Sequence, residues 1–139
     1  MIDAEVSLRS LLYITEALEQ LIGQNGAKAV LRTAGQKASF NQIEMLPSNM
    51  PEVEAIQRIG PIMIDLGFLG DMKMISPDKL QISDNQVVNE LSAMGLQSIQ
   101  SGRHYVIGLF EGFLKRLSGS QRKVTSIESD QNGEIWNLG

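Results

Sequence analysis

The side chains that could do chemistry are concentrated in residues 101–117, a stretch that contains the only histidine of the chain. If this stretch is a helix, His104, Gly108 and Glu111 follow one another at steps of four and three and share one face. A neutral imidazole can coordinate a metal or hold a hydrogen bond, and a carboxylate can meet a polar group of a ligand. We therefore predict a binding surface without a catalytic residue. The alternative for His104 is a hydrogen bond to backbone or water.

Glu111 is the most informative of these residues because its neighbours on the helix are apolar. A carboxylate that is buried without a partner is costly. Three arrangements are open: Glu111 reaches solvent, pairs with Lys115 one turn later, or faces a polar group of a ligand. The apolar neighbours form a stripe that must be buried, made of Val106, Leu109, Phe110, Phe113, Leu114 and Leu117.

Two glycines, Gly108 and Gly112, lie on the same helix and together oppose helix formation by about 1–2 kcal/mol. Either the backbone of a neighbouring element packs close to them, or a flat ligand lies against the bare helix surface. Tyr105 and Trp136 could stack on a planar ligand, although a lone tryptophan in a final strand is more often a core or interface residue. The predicted ligand-binding residues are His104, Tyr105, Gly108, Glu111, Gly112 and Trp136.

The composition excludes several functions. The 139 residues fit a single domain, and their 42% hydrophobic and 20% charged residues are typical of soluble globular proteins. A net charge of −4 argues against a nucleic-acid partner. Because the chain has no cysteine and one histidine, we expect no zinc and no metal site. The G-x-S-x-G motif of a hydrolase is also missing.

No stretch of the sequence is suited to cross a membrane. The first residues are acidic and lack the pattern of a signal peptide, and the longest apolar stretch, Ile59–Leu69, is short and broken by Pro61 and Asp65. The expected location is the cytoplasm, with membrane contact made only through a partner.

Hydrophobic spacing predicts the helices that position this surface. Ser7 is a suitable cap for a first helix that ends at Gly23, and residues 1–25 form a candidate dimerisation element. A second helix spans Gly26–Ala38, and we expect its Ala34 and Gly35 to pack on the glycines of the 101–117 helix. The inward residues are predicted to be Leu8, Leu11, Leu12, Thr15, Leu18 and Ile22 in the first helix, and Ala27, Val30, Leu31, Ala34 and Ala38 in the second; Arg9, Glu16 and Glu19 are predicted to face outward.

The remainder alternates loops, helices and strands. Residues 39–50 are predicted to be a loop, and a third helix begins at Pro51 and kinks or breaks at Gly60-Pro61. A short helix over 87–94 ends at Gly95. Strands are predicted over 72–76, 79–83, 123–129 and 134–138, the last two joined by an Asn-Gly turn. The order favours an α+β domain: N-terminal helices plus a four-stranded antiparallel sheet, covered by the long glycine-containing helix.

From about Gly26 onward, the chain resembles the 4-vinyl reductase domain family, also described as hydrocarbon-binding proteins and related in fold to the small subunits of vesicle-tethering (TRAPP) complexes. The resemblance rests on His104, Gly108 and Gly112 in an apolar helix, on Ser118-Gly119, and on Val124 to Glu128 before Gly133. The early helix with Gly26 and Gly35 also fits the family pattern. The cysteines that many members carry near the last hairpin are missing.

The resemblance implies a domain, often dimeric, with a cavity for an apolar or tetrapyrrole-type molecule such as a chlorophyll or bilin. We therefore expect a homodimeric carrier, sensor or assembly factor of photosynthetic complexes, without catalytic activity. One alternative is an accessory component of a chlorophyll-precursor 4-vinyl reductase, which would need a cofactor from elsewhere because G-x-G-x-x-G is absent. The other is a protein–protein adaptor like the vesicle-tethering relatives.

Overall fold

The computed structural model describes residues 4–42, 49–130 and 133–139. These residues form an α+β fold, as the sequence predicts. In chain order the elements are α1 (Ala4–Gln42), α2 (Glu52–Asp65), β1 (Asp71–Ser76), β2 (Lys79–Ser83), α3 (Gln86–Ala93), α4 (Ile99–Ser118), β3 (Val124–Asp130) and β4 (Gly133–Leu138).

The four strands form one antiparallel sheet in the order β1-β2-β4-β3. Each hairpin contributes two neighbouring strands, and the hairpins join where Leu80 of β2 pairs with Trp136 of β4. Buried residues alternate along both inner strands, so one face of the sheet is buried and, apart from Glu134, its buried residues on these strands are apolar. The predicted sheet is confirmed. The Asn-Gly turn between β3 and β4 lies partly outside the described residues.

Helix α4 is the centre of the fold. It packs on the apolar face of the sheet, where the ring of Phe110 meets Trp136 edge-on with ring centroids 5.8 Å apart. Every residue from Val106 to Leu114 is buried, so α4 must be covered by other elements as well as by the sheet. The helix ends at Gly119, whose φ of 73° is the left-handed conformation typical of a helix C-terminus.

Helix α1 consists of two helical segments that meet at Gly23. The backbone angles of Gly23, φ 83° and ψ 169°, lie in a region that is open almost only to glycine. The predicted helix end at Gly23 is therefore confirmed. The predicted cap at Ser7 is wrong, because the helix already begins at Ala4, and the predicted loop from residue 39 is wrong as far as Gln42, which is still helical. Residues 43–48 of that loop lie outside the described part.

The predicted faces of α1 are only partly correct. Leu12, Thr15, Ala27 and Leu31 are buried as expected. Three residues predicted to face inward are exposed instead, namely Ile22, Val30 and Ala34. Close contact between α1 and α4 causes this difference. The side of the second segment that carries glycine and serine faces α4 and is buried.

Glu16 and Glu19, which were predicted to face outward, contact the start of α4. The backbone N–H of Ser98 donates to Glu16 Oε2 at 3.1 Å, and the hydroxyl of Ser101 donates to Glu19 Oε2 at 2.6 Å. Carboxylates are favourable at this place because the N-terminus of a helix carries partial positive charge. These two carboxylates of the first segment therefore face the protein.

Helix α2 runs without interruption from Glu52 to Asp65, so of the two outcomes predicted at Gly60-Pro61, a kink or a break, the break is wrong. Ile59 and Met63 are fully buried on either side of the proline. Their burial holds the helix together across Pro61, whose own side chain is exposed. Tertiary packing here outweighs the cost of a proline inside a helix.

Candidate functional site

The surface predicted for a ligand is the contact between α1 and α4. A Cβ added to Gly108 would collide with the carbonyl of Arg32 and lie 3.1 Å from its Cα, and a Cβ added to Gly112 would lie 2.9 Å from Gln36 Cα. From the other side, a Cβ on Gly35 would lie 2.8 Å from Leu109 N. Real Cβ atoms do not approach backbone this closely. Of the two alternatives for these glycines, close packing of a neighbouring backbone is the one that the structure shows.

Glu111 lies at the end of this contact and is 3% exposed. Its Oε1 accepts hydrogen bonds from Arg32 Nε at 2.8 Å and from Gln36 Nε2 at 2.9 Å. Its Oε2 accepts from the second guanidinium nitrogen of Arg32 and from the backbone N–H of Val124, the latter at 2.9 Å. Arg32 also donates to the carbonyl of Val124 at 2.6 Å. One carboxylate thereby joins α1, α4 and the start of β3.

Glu111 is thus an ionised, fully hydrogen-bonded carboxylate. Burial by itself raises the pKa of Glu111, but the hydrogen bonds from Arg32, Gln36 and Val124 outweigh it and hold the pKa below its ordinary value. Two of the three arrangements predicted for Glu111 are wrong, because its charged partner is Arg32 rather than Lys115 and it is buried away from solvent. The third arrangement, a polar group of a ligand facing Glu111, stays a prediction.

Sequence reasoning missed Arg32. The sequence did contain an indication of its role. Arg32 precedes Gly35 by three residues on the predicted second helix, so Arg32 borders the surface that was expected to meet Gly108. A cation at that position is the natural partner for a carboxylate one turn beyond Gly108.

His104 lies beside Arg32 and is half-buried. Its Nδ1 is 3.4 Å from a guanidinium nitrogen of Arg32, close enough to accept a hydrogen bond in the tautomer that leaves Nδ1 unprotonated. Burial, followed by the charges of Arg32, Lys28 and Arg103, lowers the pKa of His104 to about 4. The imidazole is therefore neutral near pH 7.

The six predicted ligand-binding residues do not form one surface. His104, Gly108, Glu111 and Gly112 lie along the side of α4 that meets α1. Trp136 lies on the opposite side of α4, fully buried, with its indole N–H donating to Glu134 Oε1 at 2.9 Å. Tyr105 packs its ring on Phe68 with centroids 5.9 Å apart, and burial raises the pKa of its hydroxyl.

A second buried charge pair, which the sequence did not point to, joins Arg103 of α4 and Glu134 of β4. Arg103 Nε is 3.2 Å from Glu134 Oε1, and both side chains are less than a tenth exposed. The N–H of Arg103 Nε nevertheless makes no hydrogen bond, because it does not point at that oxygen. Another nitrogen of Arg103 donates to Gln100.

Two cavities adjoin these charge pairs. One, of about 240 Å³, is lined by Glu111, Gly112 and several cationic side chains. The other, of about 510 Å³, is lined by Arg103, Glu134 and further polar residues. Both linings contain several polar side chains, and the predicted ligand, an apolar or tetrapyrrole-type molecule, stays a prediction.

Among the described residues, no three carboxylate or imidazole side chains come together as ligands for a metal ion. Over the same residues, none of the helices combines the length and apolar character needed to cross a bilayer. Comparison of the chain with protein-family profiles, with curated proteins and with solved structures finds no match.

Proposed function

We propose that this chain is a non-catalytic assembly domain that binds protein through the outward face of α1, and that its first partner is a second copy of itself. The observation that supports this proposal is the chemistry of that face. Between Ser10 and Ala34, no exposed residue of α1 carries a charge, although a fifth of the whole chain is charged. Depletion of charge is what distinguishes the core of a protein interface from the rest of a surface.

The apolar part of this face is concentrated in the first segment of α1. Tyr13 is 55% exposed, Ile14 54% and Leu21 81%, so all three present most of their side chains to the outside. Single exposed apolar residues are ordinary, but a contiguous group on one helix face marks a binding site. Between Ser10 and Gly23 the charged residues are Glu16 and Glu19, and both are engaged with α4. The outward side of this part of the helix is therefore left without charge.

The pattern fits a copy of the same face. Ile14, Ala17 and Leu21 follow at steps of three and four, the spacing along which two helices pair. In a two-fold arrangement the same residues meet from both sides, so Ala17 lies opposite Ala17 while Ile14 of one chain lies opposite Leu21 of the other. A small residue at the crossing point and large residues beside it allow two helices to approach closely.

The experiment is a measurement of mass in solution by light scattering, for the parent and for Leu21→Glu. We expect a dimer for the parent and a monomer with unchanged circular dichroism for Leu21→Glu, because the side chain at 21 makes few contacts within its own chain. Val53→Glu is the matched control, since Val53 is an exposed apolar residue of α2, and it should remain dimeric. A parent that is monomeric at every accessible concentration, or a dimer that is unaffected by Leu21→Glu, contradicts the proposal.

Cross-linking tests the two-fold arrangement itself. The chain contains no cysteine, so Ala17→Cys introduces a single thiol. Under mild oxidation it should form a disulfide-linked dimer, because facing Cα atoms about 4.4–6.8 Å apart can be bridged. Gln57→Cys, on the exposed side of α2, should not cross-link at the same rate. Equal rates for the two variants refute pairing at Ala17.

The other functional hypotheses stay predictions. The interface proposal corresponds to the adaptor alternative, and an assembly domain can also carry a ligand. An apolar or tetrapyrrole ligand, or a part in vinyl reduction, would need a surface other than the glycine contact, where the backbones of α1 and α4 already meet.

A further inference from the structure

We infer that the cavity beside Glu111 and Gly112 binds a small anion of the phosphate class, one that carries more than a single negative charge. The second segment of α1 and the end of α4 form two of its walls, and residues 120–123, which connect α4 to β3, complete the lining. Its volume of about 240 Å³ is below the about 300–1,000 Å³ of pockets for drug-sized molecules, so it suits a free ion or a small phosphate ester. This inference does not depend on the proposed assembly function.

Cationic side chains are concentrated around this cavity. Its lining includes Lys37 of α1, Lys115 of α4, and Arg122 and Lys123 of the connection to β3. These are four of the twelve lysines and arginines in a chain whose net charge is −4. The partial negative charge at the end of a helix accounts for Lys115. It does not account for Lys37, which precedes the last turn of α1, or for Lys123, which lies beyond α4.

The positive charge of the lining is only partly compensated by carboxylates. Arg122 is paired with one carboxylate of α2 and one of the turn between β1 and β2. Lys37, Lys115 and Lys123 are exposed, and none of the three pairs with a carboxylate among the residues that the structure describes. Three ammonium groups from three parts of the chain therefore remain uncompensated at one cavity. An anion bound there reduces the repulsion between them.

Glu111 also belongs to the lining, but its charge does not oppose an anion. Its side chain is 1% exposed, so the carboxylate presents almost no surface to the cavity. Both of its oxygens accept hydrogen bonds, and Arg32 compensates its charge. Thr33 and Gln121 add a hydroxyl and an amide to the lining, and both groups can donate to the oxygens of an anion.

The three uncompensated ammonium groups favour phosphate over other common anions. Chloride and carboxylates carry a single negative charge, whereas a phosphate ester carries about −1.5 to −2 at pH 7 and has three strong acceptor oxygens. Lysine binds phosphate as a point charge at the end of a flexible side chain, so it needs no fixed angle of approach. Lysines from separate elements can therefore contact one phosphoryl group.

The first test is calorimetric titration of the parent with inorganic phosphate, pyrophosphate, glycerol 3-phosphate and acetate. Salt screens exposed charges, so every titration uses the same low ionic strength and a buffer without phosphate. We expect the phosphate compounds to bind about tenfold more tightly than acetate, or better, because of their higher charge. Tighter binding of glycerol 3-phosphate than of inorganic phosphate assigns the cavity to esters, and the reverse order assigns it to the free ion. Equal affinities for acetate and the phosphate compounds, or no binding of any of them, overturn the inference.

Variants locate the anion in this cavity. Lys37→Gln and Lys115→Gln each remove an exposed charge, and each should weaken phosphate binding about three- to fivefold, in line with exposed ion pairs. The double variant should bind about tenfold more weakly or worse, with Tm unchanged in the absence of phosphate. Lys73→Gln is the matched control, because Lys73 is an exposed lysine of β1 outside the lining, and its affinity should equal that of the parent. An unchanged affinity in the double variant, or an equal loss in Lys73→Gln, overturns the assignment.

Discussion

The contact between α1 and α4 depends on the absence of a side chain at position 108, and Gly108→Ala tests this dependence. The added Cβ would meet the carbonyl oxygen, carbonyl carbon and Cα of Arg32, all of them backbone atoms. Since no rotamer change can remove the collision, α1 must move away from α4. That movement also strains the hydrogen bonds between Arg32 and Glu111, which lie on the same turns of the two helices.

The expected size of the effect follows from two opposing contributions. Overpacking a well-packed contact costs about 1–3 kcal/mol, and the collision with backbone places this site at the upper end. Replacing a glycine by alanine inside a helix contributes about 0.5–1 kcal/mol in the other direction. The free energy of unfolding of Gly108→Ala should therefore be about 2 kcal/mol lower than that of the parent, with Tm roughly 6–8 °C lower.

The assay is urea unfolding followed by circular dichroism, at one fixed protein concentration, because self-association would make stability depend on concentration. Gly26→Ala is the matched control. It is the same substitution in α1, but its Cβ would meet only side-chain atoms of Ile22, at 3.2 Å and beyond, and that side chain is half exposed and free to rotate. The control should be as stable as the parent or more so. If Gly108→Ala matches its stability, the two backbones are not in contact and the surface of α4 is open.

Two further predictions concern the charges beside this contact. Glu111→Gln leaves the guanidinium of Arg32 without its counter-ion and should lower stability at pH 7 by about 3–5 kcal/mol, whereas Lys115→Gln should change it by less than about 0.5 kcal/mol. Because the folded protein lowers the pKa of Glu111, the contribution of this carboxylate to stability is complete above its ordinary pKa of 4.5 and is lost as the pH falls through the folded pKa. A stability difference between parent and variant that stays constant down to about pH 3 would contradict this. For His104, an NMR titration of the single histidine should give a midpoint near pH 4. That pKa is below its ordinary value of 6.5, so the unfolded chain binds the extra proton first and stability decreases as the pH falls from 6.5 to 4. His104→Gln should make the decrease of stability with falling pH less steep over this range. A midpoint near 6.5 would show that the ring is neither buried nor close to Arg32.

The sheet and the short helix α3 could be predicted from sequence because their signals are local. Alternation of Leu80 and Ile82 with polar residues, and the turn at Pro77, fix the first hairpin, which lies within the short stretch Asp71–Ser83. Helix α4 was equally clear from its apolar stripe. The close approach of Gly35 to the glycines of α4 could also be predicted, since a helix surface without side chains needs another backbone against it.

The partners of the charged residues could not be predicted in the same way. Glu111 bonds to Arg32 across 79 residues of sequence, and Glu16 and Glu19 bond to α4 across 82 residues. Local periodicity assigns carboxylates to the solvent side of a helix. Periodicity therefore assigned Glu16 and Glu19 of α1 to the solvent side. In the structure the N-terminus of α4 binds both carboxylates. The cavity at Arg103 and Glu134 escaped notice for a related reason, because its walls come from five elements, β2, α3, α4, β3 and β4.

The same long separations govern the order in which the protein can be assembled during its synthesis. Helix α1 leaves the ribosome first, but every hydrogen bond described here that fixes it to another element ends in α4 or β3. At about 5–20 residues per second, those roughly 80 residues correspond to a delay of about 4–16 s. Throughout that interval both sides of the first segment are uncovered, the side that will meet α4 and the uncharged outer side. Helix α1 is thus most accessible to other nascent chains before α4 and β3 of its own chain have been synthesised. Translation speed should therefore influence how much of the protein assembles with neighbouring chains on one polysome.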